Sequence, residues 1–391
     1  MIYSKTVSLT GSDASASVLE DPTPNPTSLN TPNVLRKLYN VSDADVGVSK
    51  SNKQAVTAFL EQYYSAADQA EFNLLFSRRN LGTLLTLKGD ATTGTPAGTE
   101  SVLDTEYITA LGAHIHTEFW GFSGRAPGEP ENEPFLKWLQ LVSNTSDQAV
   151  PKVFSTSYGE DEHTVAIEYA TRINTEFVKA GARGISLLFA SGDSGAAGVH
   201  GGCPGGKFVP KWPAGSPYVT AVGGTQGGGL APPETAALIA SGGFSDRWPQ
   251  PGWQSDAVAA YLKMAGVPSA SKFNASGRAF PDLSAQAMSF VVVTNKVPLP
   301  GVSGTSCASP TAGGVIGLLN DARLSAGKTP MGFLNPFVYQ HAAAFNDCTE
   351  GSNKGCLGGG GGFPAKTGWD AVTGVGTPNY AALKAAALAL P

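Results

Sequence analysis

The chain has 391 residues, of which 41% are hydrophobic and only 15% charged, with 48 glycines, 27 prolines and a net charge of −5. This composition suits a loop-rich globular chain of one large domain or two small ones and argues against a coiled coil or a disordered tail. Charges of both signs are scattered, which excludes the basic stripe of a nucleic-acid binder, and no apolar run reaches 18 residues, so no membrane span is expected.

In chain order, "MIYSKTVSLTG" lacks the apolar core of a signal peptide. Residues 13–32 are rich in Ser, Thr, Pro and Asp and read as an extended linker. Globular texture begins at "NVLRKLYNV". The segment 54–76 carries apolar residues at helical spacing, as does 99–113, with Thr99 as an N-cap. Residues 165–184 form an amphipathic pattern that ends at a glycine. The apolar strand "ISLLFA" follows, then the turn "SGDSG". "YVTAVGGT" (218–225) and "FVVVTNKVP" (290–298) read as strands, "SPTAGGVIGLLNDARLSAG" as a long helix, and the glycine run of 357–364 as a loop. Short strands alternating with helices predict an α/β fold with a mainly parallel sheet covered on both faces.

The chemistry concentrates at "SGTSCASP", where Ser306 lies between a Gly-rich turn and a helix. A serine in the first turn of a helix has free backbone N–H groups and a positive dipole beside it, both useful to a developing oxyanion. The same residue also suits a plain N-cap. A nucleophile needs a base. None of the five histidines, His114, His116, His163, His200 and His341, sits in an H-G-T-H type helix, and "HIH" (114–116) reads as ordinary surface or core more readily than as a metal pair. Glu100 and Asp104 stand at i and i+4, on one face of a helix. If buried, two such carboxyls share a proton and can act as a base and its orienter. If exposed, they are a solvated acidic face. Asp193 sits in a Gly-flanked turn directly after an apolar strand, where a neutral carboxyl could donate to an oxyanion, or where an Asp simply forms the turn.

Taken together, Ser306, Glu100, Asp104, Asp193 and the segments "TPNVLRKLYNV", "AFLEQYY", "EPFLKWLQLVSN", "SYGEDE", "LLFASGDSGA", "SPYVTAVGGT", "FNASGRAFPDL", "GFLNPFVYQ" and "GWDAVTGVGTPNY" resemble the sedolisin family of serine-carboxyl peptidases over residues 31–391. The resemblance implies a subtilisin-like fold. It implies Ser306 as nucleophile, Glu100 as base, Asp104 as its orienter, and Asp193 as the oxyanion-hole acid beside the Ser306 N–H. It further implies an acid-active enzyme that takes tripeptides from free N-termini through an acyl-enzyme. An endopeptidase, or a silent member of the family, is the alternative.

The resemblance also implies one structural Ca2+ in a C-terminal loop region, held by the carboxylates of Asp347 and Asp370 and the carbonyls of Cys348, Lys366 and Gly368. Lys366 and Cys348 depart from the residue types usual in the family, but only their carbonyls are needed. A disulfide between Cys203 and Cys356 is implied as well, with Cys348 left free and Cys307 a small buried residue. Residues 1–30 are expected to be a linker or propeptide remnant ahead of a peptidase domain over 31–391. The propeptide is the expected inhibitory partner. A monomer in a lysosome or other acidic vacuole, or a secreted one, is expected. The sequons at Asn40, Asn144 and Asn274 agree with the secretory route. The acidic run Glu160, Asp161, Glu162 is a candidate acceptor for a substrate ammonium, or else a solvated loop.

Overall fold

A computed structural model describes residues 29–128, 132–227, 233–357 and 361–391. The expected linker over residues 1–30 lies almost wholly outside the described residues. Its end is tied down: Asn30 bridges to Phe290, and its side chain donates to Gln286 Oε1 at 3.0 Å and the Met288 carbonyl at 2.8 Å.

The first half of the chain alternates α1 (Pro32–Leu38), β1 (Lys53–Ala58), α2 (Ala66–Phe76), β2 (Thr86–Gly89), α3 (Thr99–Leu111), β3 (His116–Gly121), α4 (Phe135–Asn144), β4 (Val153–Thr156), β5 (Glu160–Asp161), α5 (Ile167–Ala182) and β6 (Ser186–Ala190). Then come β7 (Lys211–Trp212), β8 (Thr220–Gly227), β9 (Glu234–Ala236), β10 (Gly243–Pro249), α6 (Ser255–Tyr261), β11 (Gly277–Phe280), β12 (Leu283–Gln286), β13 (Phe290–Thr294), β14 (Val297–Val302) and α7 (Thr305–Ser325). The C-terminal region holds α8 (Asn335–Gln340), β15 (Phe345–Asn346), β16 (Ser352–Lys354), β17 (Gly361–Pro364), β18 (Thr377–Pro378) and α9 (Tyr380–Ala389).

The central sheet runs β12-β8-β6-β4-β1-β3-β2, every neighbour parallel, with β9 added antiparallel on β8. Both faces are covered. Strand β6, "SLLFA", is buried at every position, as a parallel strand between two helical layers must be. The same property explains where the helical reading of 54–76 fails. Its first five residues belong to strand β1, which is buried on both faces and therefore shows no strict alternation that would separate it from a helix.

Three smaller corrections are equally local. The stretch 290–298 is not one strand but a hairpin, because Asn295 and Lys296 both take positive φ (52° and 62°) and reverse the chain. Residues 361–364 of the glycine run pair with β16 as a strand, while 358–360 lie outside the described residues. Thr99 is the first helical residue and Gly98 the N-cap.

Two buried helices, α3 and α7, cross against the sheet and carry the chemistry. Eleven of the thirteen residues of α3 are buried, so its polar residues are not a solvated face. Gly314 on α7 permits the crossing: a Cβ there would lie 2.6 Å from the Gly112 nitrogen and 2.7 Å from Leu111 Cβ. That close approach brings the first turns of α3 toward the start of α7.

Candidate active site

Ser306 occupies the first turn of α7 and is only 3% exposed. The turn before it is shaped by Asp193, at the C-terminal end of β6. Asp193 Oδ1 accepts from the Thr305 N–H at 2.7 Å and from Thr305 Oγ1 at 2.9 Å, so this carboxyl does the capping that Gly304 cannot. The other oxygen, Oδ2, lies 2.9 Å from where a Gly304 Cβ would sit, so no larger residue fits at 304 without displacing Asp193. Pro310 has no N–H for the carbonyl of Ser306, its i−4 partner. Ser157 Oγ lies 3.5 Å from that carbonyl and donates to Asp104 Oδ1 at 2.7 Å.

Glu100 comes in from the first turn of α3. Its Oε1 and the Ser306 Oγ are each sequestered without a formed hydrogen bond, yet the Ser306 hydroxyl is close enough to favour the Glu100 carboxylate. Burial pushes Glu100 up to about 8 against the pull of Ser306 and Ser157, and the Asp193 charge adds to the rise. Asp104 is 1% exposed. Burial first, then the Glu100 charge, hold it well above the usual carboxylate range. Asp193 is raised by burial, opposed by the Thr305 donors and the Lys354 and Lys211 charges.

The structure therefore brings Ser306, Glu100, Asp104 and Asp193 to one place. No histidine is among the groups that perturb the three carboxyls. His114 bonds the Arg79 carbonyl and His116 the Thr86 hydroxyl, and among the described residues no group of three or more His, Cys, Asp or Glu gathers to hold a metal. Cys307 is fully buried and its thiol is held protonated by burial. Sequence reasoning missed Ser157, whose only signal was its place just after the apolar strand β4.

The acidic run is not a solvated loop. Glu160 and Asp161 are 8% exposed and Glu162 1%. Asp161 pairs with Lys211, and Glu162 accepts from the Ser245 hydroxyl and the Asp246 N–H. Glu160 instead contacts Glu133, a wholly buried carboxyl that burial raises.

At the C-terminal end, Asp347 Oδ2 accepts from the Gly368 N–H at 2.7 Å, and Asp370 Oδ2 from the Lys366 N–H at 2.9 Å. Loop 366–373 thus wraps both carboxyls. Asp370 is fully buried with no cationic side chain among the groups that act on it. The Asp370 oxygens also accept from the Val372 and Thr373 N–H groups at 3.0 and 2.8 Å. Cys203 and Cys356 form a disulfide, and Cys348 is free and buried.

So many raised carboxyls make stability depend on pH with a definite sign. Between the ordinary carboxylate range and the raised native values, the folded chain holds more protons than the unfolded one, so stability falls as pH rises. Glu162, pushed up to about 7, contributes about 3 kcal/mol of this loss, and Glu100 acts in the same direction. Thermal melts should give a Tm at pH 8 lower than at pH 5 by about 5 °C or more. A Tm that is flat or rises over that range contradicts the buried-carboxyl picture.

A serine on a buried helix, at the C-terminal edge of a parallel sheet and faced by carboxyls, is the arrangement of a subtilisin-like architecture. The chain belongs to that family: the description "Subtilase family" matches residues 134–332, just over half of its length. Among individual proteins, it is 47% identical to tripeptidyl-peptidase 1 of Rattus norvegicus over 369 residues and 46% identical to that of Homo sapiens over 368. Each match covers 90% of this chain, which spans 63% of the length of those relatives. Its fold is that of Pseudomonas sedolisin, a serine-carboxyl proteinase solved with two molecules of pseudo-iodotyrostatin (TM-score 0.72, 24% identity, 92% of this chain and 97% of the other).

Proposed function

We propose that this chain is an acid-active serine-carboxyl peptidase that releases tripeptides from free N-termini. The observation that carries the reading is the convergence of the Ser306 hydroxyl and the Glu100 carboxyl in a site without imidazole. In acid, Asp193 is protonated and its share of the Glu100 shift is gone. The productive form of the pair is the one in which Asp104 keeps its proton and a single negative charge rests on Glu100, favoured by the Ser306 and Ser157 hydroxyls. Glu100 then takes the Ser306 proton as the oxygen attacks the substrate carbonyl. Asp193 donates to the oxyanion, with the first-turn N–H groups of α7 beside it. Glu100 returns the proton to the leaving amine, and water repeats the sequence on the acyl-enzyme.

Release of tripeptides needs an acceptor for the substrate ammonium. Glu160 contacts the buried Glu133 carboxyl, so this part of the acidic run sets two carboxyls together where a substrate ammonium could be received. Free-N-terminal reporters should be cleaved at least about tenfold faster than acetylated ones, and Glu160→Gln should erase most of that ratio. Equal cleavage of blocked and free peptides by the parent would instead mark an endopeptidase.

A calcium ion bound by Asp347, Asp370 and the carbonyls of Cys348, Lys366 and Gly368 would stabilise the C-terminal loops without entering the reaction. Chelator should lower Tm by about 5 °C or more, with recovery on Ca2+ but not Mg2+. An unchanged Tm removes the ion from the account. The Cys203–Cys356 disulfide fits an oxidising route to an acidic vacuole or the exterior. Among the described residues no helix is long and apolar enough to cross a membrane.

A further inference from the structure

Twelve large apolar side chains stand exposed among the described residues, and five of them, Leu74, Leu75, Leu81, Leu84 and Leu87, fall between the end of α2 and the middle of β2. Single exposed leucines are ordinary, but such a concentration marks a contact surface. The segment is held so that its leucines cannot fold inward. Buried Asn80 donates to the Thr109 carbonyl at 3.0 Å and to Ser77 Oγ at 2.9 Å, and its own carbonyl accepts from Asn73 at 3.0 Å. Leu85 turns in and packs with Tyr64 and Phe119, which leaves Leu84 75% exposed and Leu81 56%. Strand β2 ends the central sheet. An open edge is normally blunted by charge; Lys88 would serve, but the leucines around it defeat that purpose.

The same segment is basic. From Phe72 to Gly89 it carries Arg78, Arg79 and Lys88 and no Asp or Glu, in a chain whose net charge is −5. Arg79 pairs with Asp43 at 2.7 Å. Arg78 donates to the Leu74 carbonyl at 3.3 Å, and neither it nor Lys88 is ion-paired among the described residues. Arg79 also lines a cleft of about 510 Å³ whose wall sets Arg36, Lys37 and Arg79 against one carboxylate, Asp43. We propose that this face docks on an anionic lipid bilayer, with the leucines of 74–87 entering the headgroup region and Arg78, Lys88 and the cations of the cleft meeting lipid phosphates. Leucines flanked by Arg and Lys are the composition of interfacial membrane segments. A protein partner suits the segment less, because it exposes no Trp or Tyr, and leucine is under-represented among the anchors of protein interfaces. The local positive charge turns this face toward an anionic surface that the molecule as a whole would avoid.

The test is co-sedimentation of the intact chain at neutral pH with vesicles of phosphatidylcholine alone or mixed with an equal part of phosphatidylserine. Under those conditions the net charge is negative, so attraction to the mixed vesicles has to come from a local patch. Their binding should exceed that of the neutral vesicles by about tenfold or more and weaken with salt. Leu81→Asp with Leu84→Asp should cut binding by about tenfold or more, and Arg78→Glu with Lys88→Glu should abolish the preference for phosphatidylserine. Leu238→Asp, at a comparably exposed leucine outside the segment, should bind like the parent. If the leucine variant fails to fold, the charge variant decides alone. No binding, equal binding to both vesicles, or binding that neither double variant alters overturns the proposal. So does a parent that ignores vesicles but forms a concentration-dependent dimer lost in the leucine variant, since the patch then belongs to a second copy of the chain.

Discussion

Replacing Glu100 with glutamine is expected to lower kcat by about 10⁴-fold, with KM changed by less than about threefold. Glutamine keeps the shape of the side chain and can still accept a hydrogen bond from Ser306, but it cannot take the proton. The loss therefore falls on the chemical step and not on binding. The same change should raise stability at pH 7.5, because a buried group held up near 8 no longer has to be reckoned against an ionised unfolded chain. A residue that merely braced the fold would show the opposite: lost stability with kcat largely intact. Steady-state kinetics and melts on one preparation separate the two. A Glu100→Gln enzyme within about tenfold of the parent would require another base.

The second large effect concerns Asp193. Removing its carboxyl in Asp193→Ala should cost about 10²–10³-fold in kcat, the loss usual for a single oxyanion donor. Its Oδ1 also caps α7 through Thr305, so part of the damage is positional. Asp193→Asn distinguishes the two roles. Asparagine keeps an oxygen for the Thr305 donors and offers an N–H that does not titrate. It should recover a large part of the alanine loss, and its activity should fall less steeply from pH 5 to pH 8. Loss of the Asp193 proton in the parent both removes the donor and sets a second negative charge beside Glu100. If the asparagine enzyme declines with pH as steeply as the parent, the alkaline limb belongs to another group.

How much of this could be read from the chain itself depends on the range of each interaction. The i, i+4 spacing of Glu100 and Asp104 and the Ser306–Pro310 interval are local, so they survive in one dimension. So does the Gly-flanked Asp193 at the end of an apolar strand. What the spacing could not decide was burial, which comes from α7 crossing α3 at Gly314, some two hundred residues further along the chain. The acidic run shows the same limit. Three consecutive carboxyls look like a solvated loop until Lys211, fifty positions away, Ser245 and Glu133 fold over them. Ser157 carried no mark of its role beyond its place just after β4, at the start of "SYGEDE". In the fold, the strand reading failed where a doubly buried strand lacks alternation, at 54–58, where a two-residue reversal at Asn295–Lys296 hid inside one β-rich run, and at 361–364, where the end of a glycine run pairs with β16.

The central claim is that a carboxylate, not an imidazole, takes the proton from Ser306. The most direct measurement is kcat of the parent on a free-N-terminal tripeptide reporter from pH 3 to pH 8. Carboxyl chemistry predicts a maximum below pH 6, with substantial turnover at pH 4, and a fall of about tenfold or more by pH 8. A rate that is negligible at pH 4, rises with a midpoint near 6.5 and holds to pH 8 would be the signature of histidine and would contradict the account.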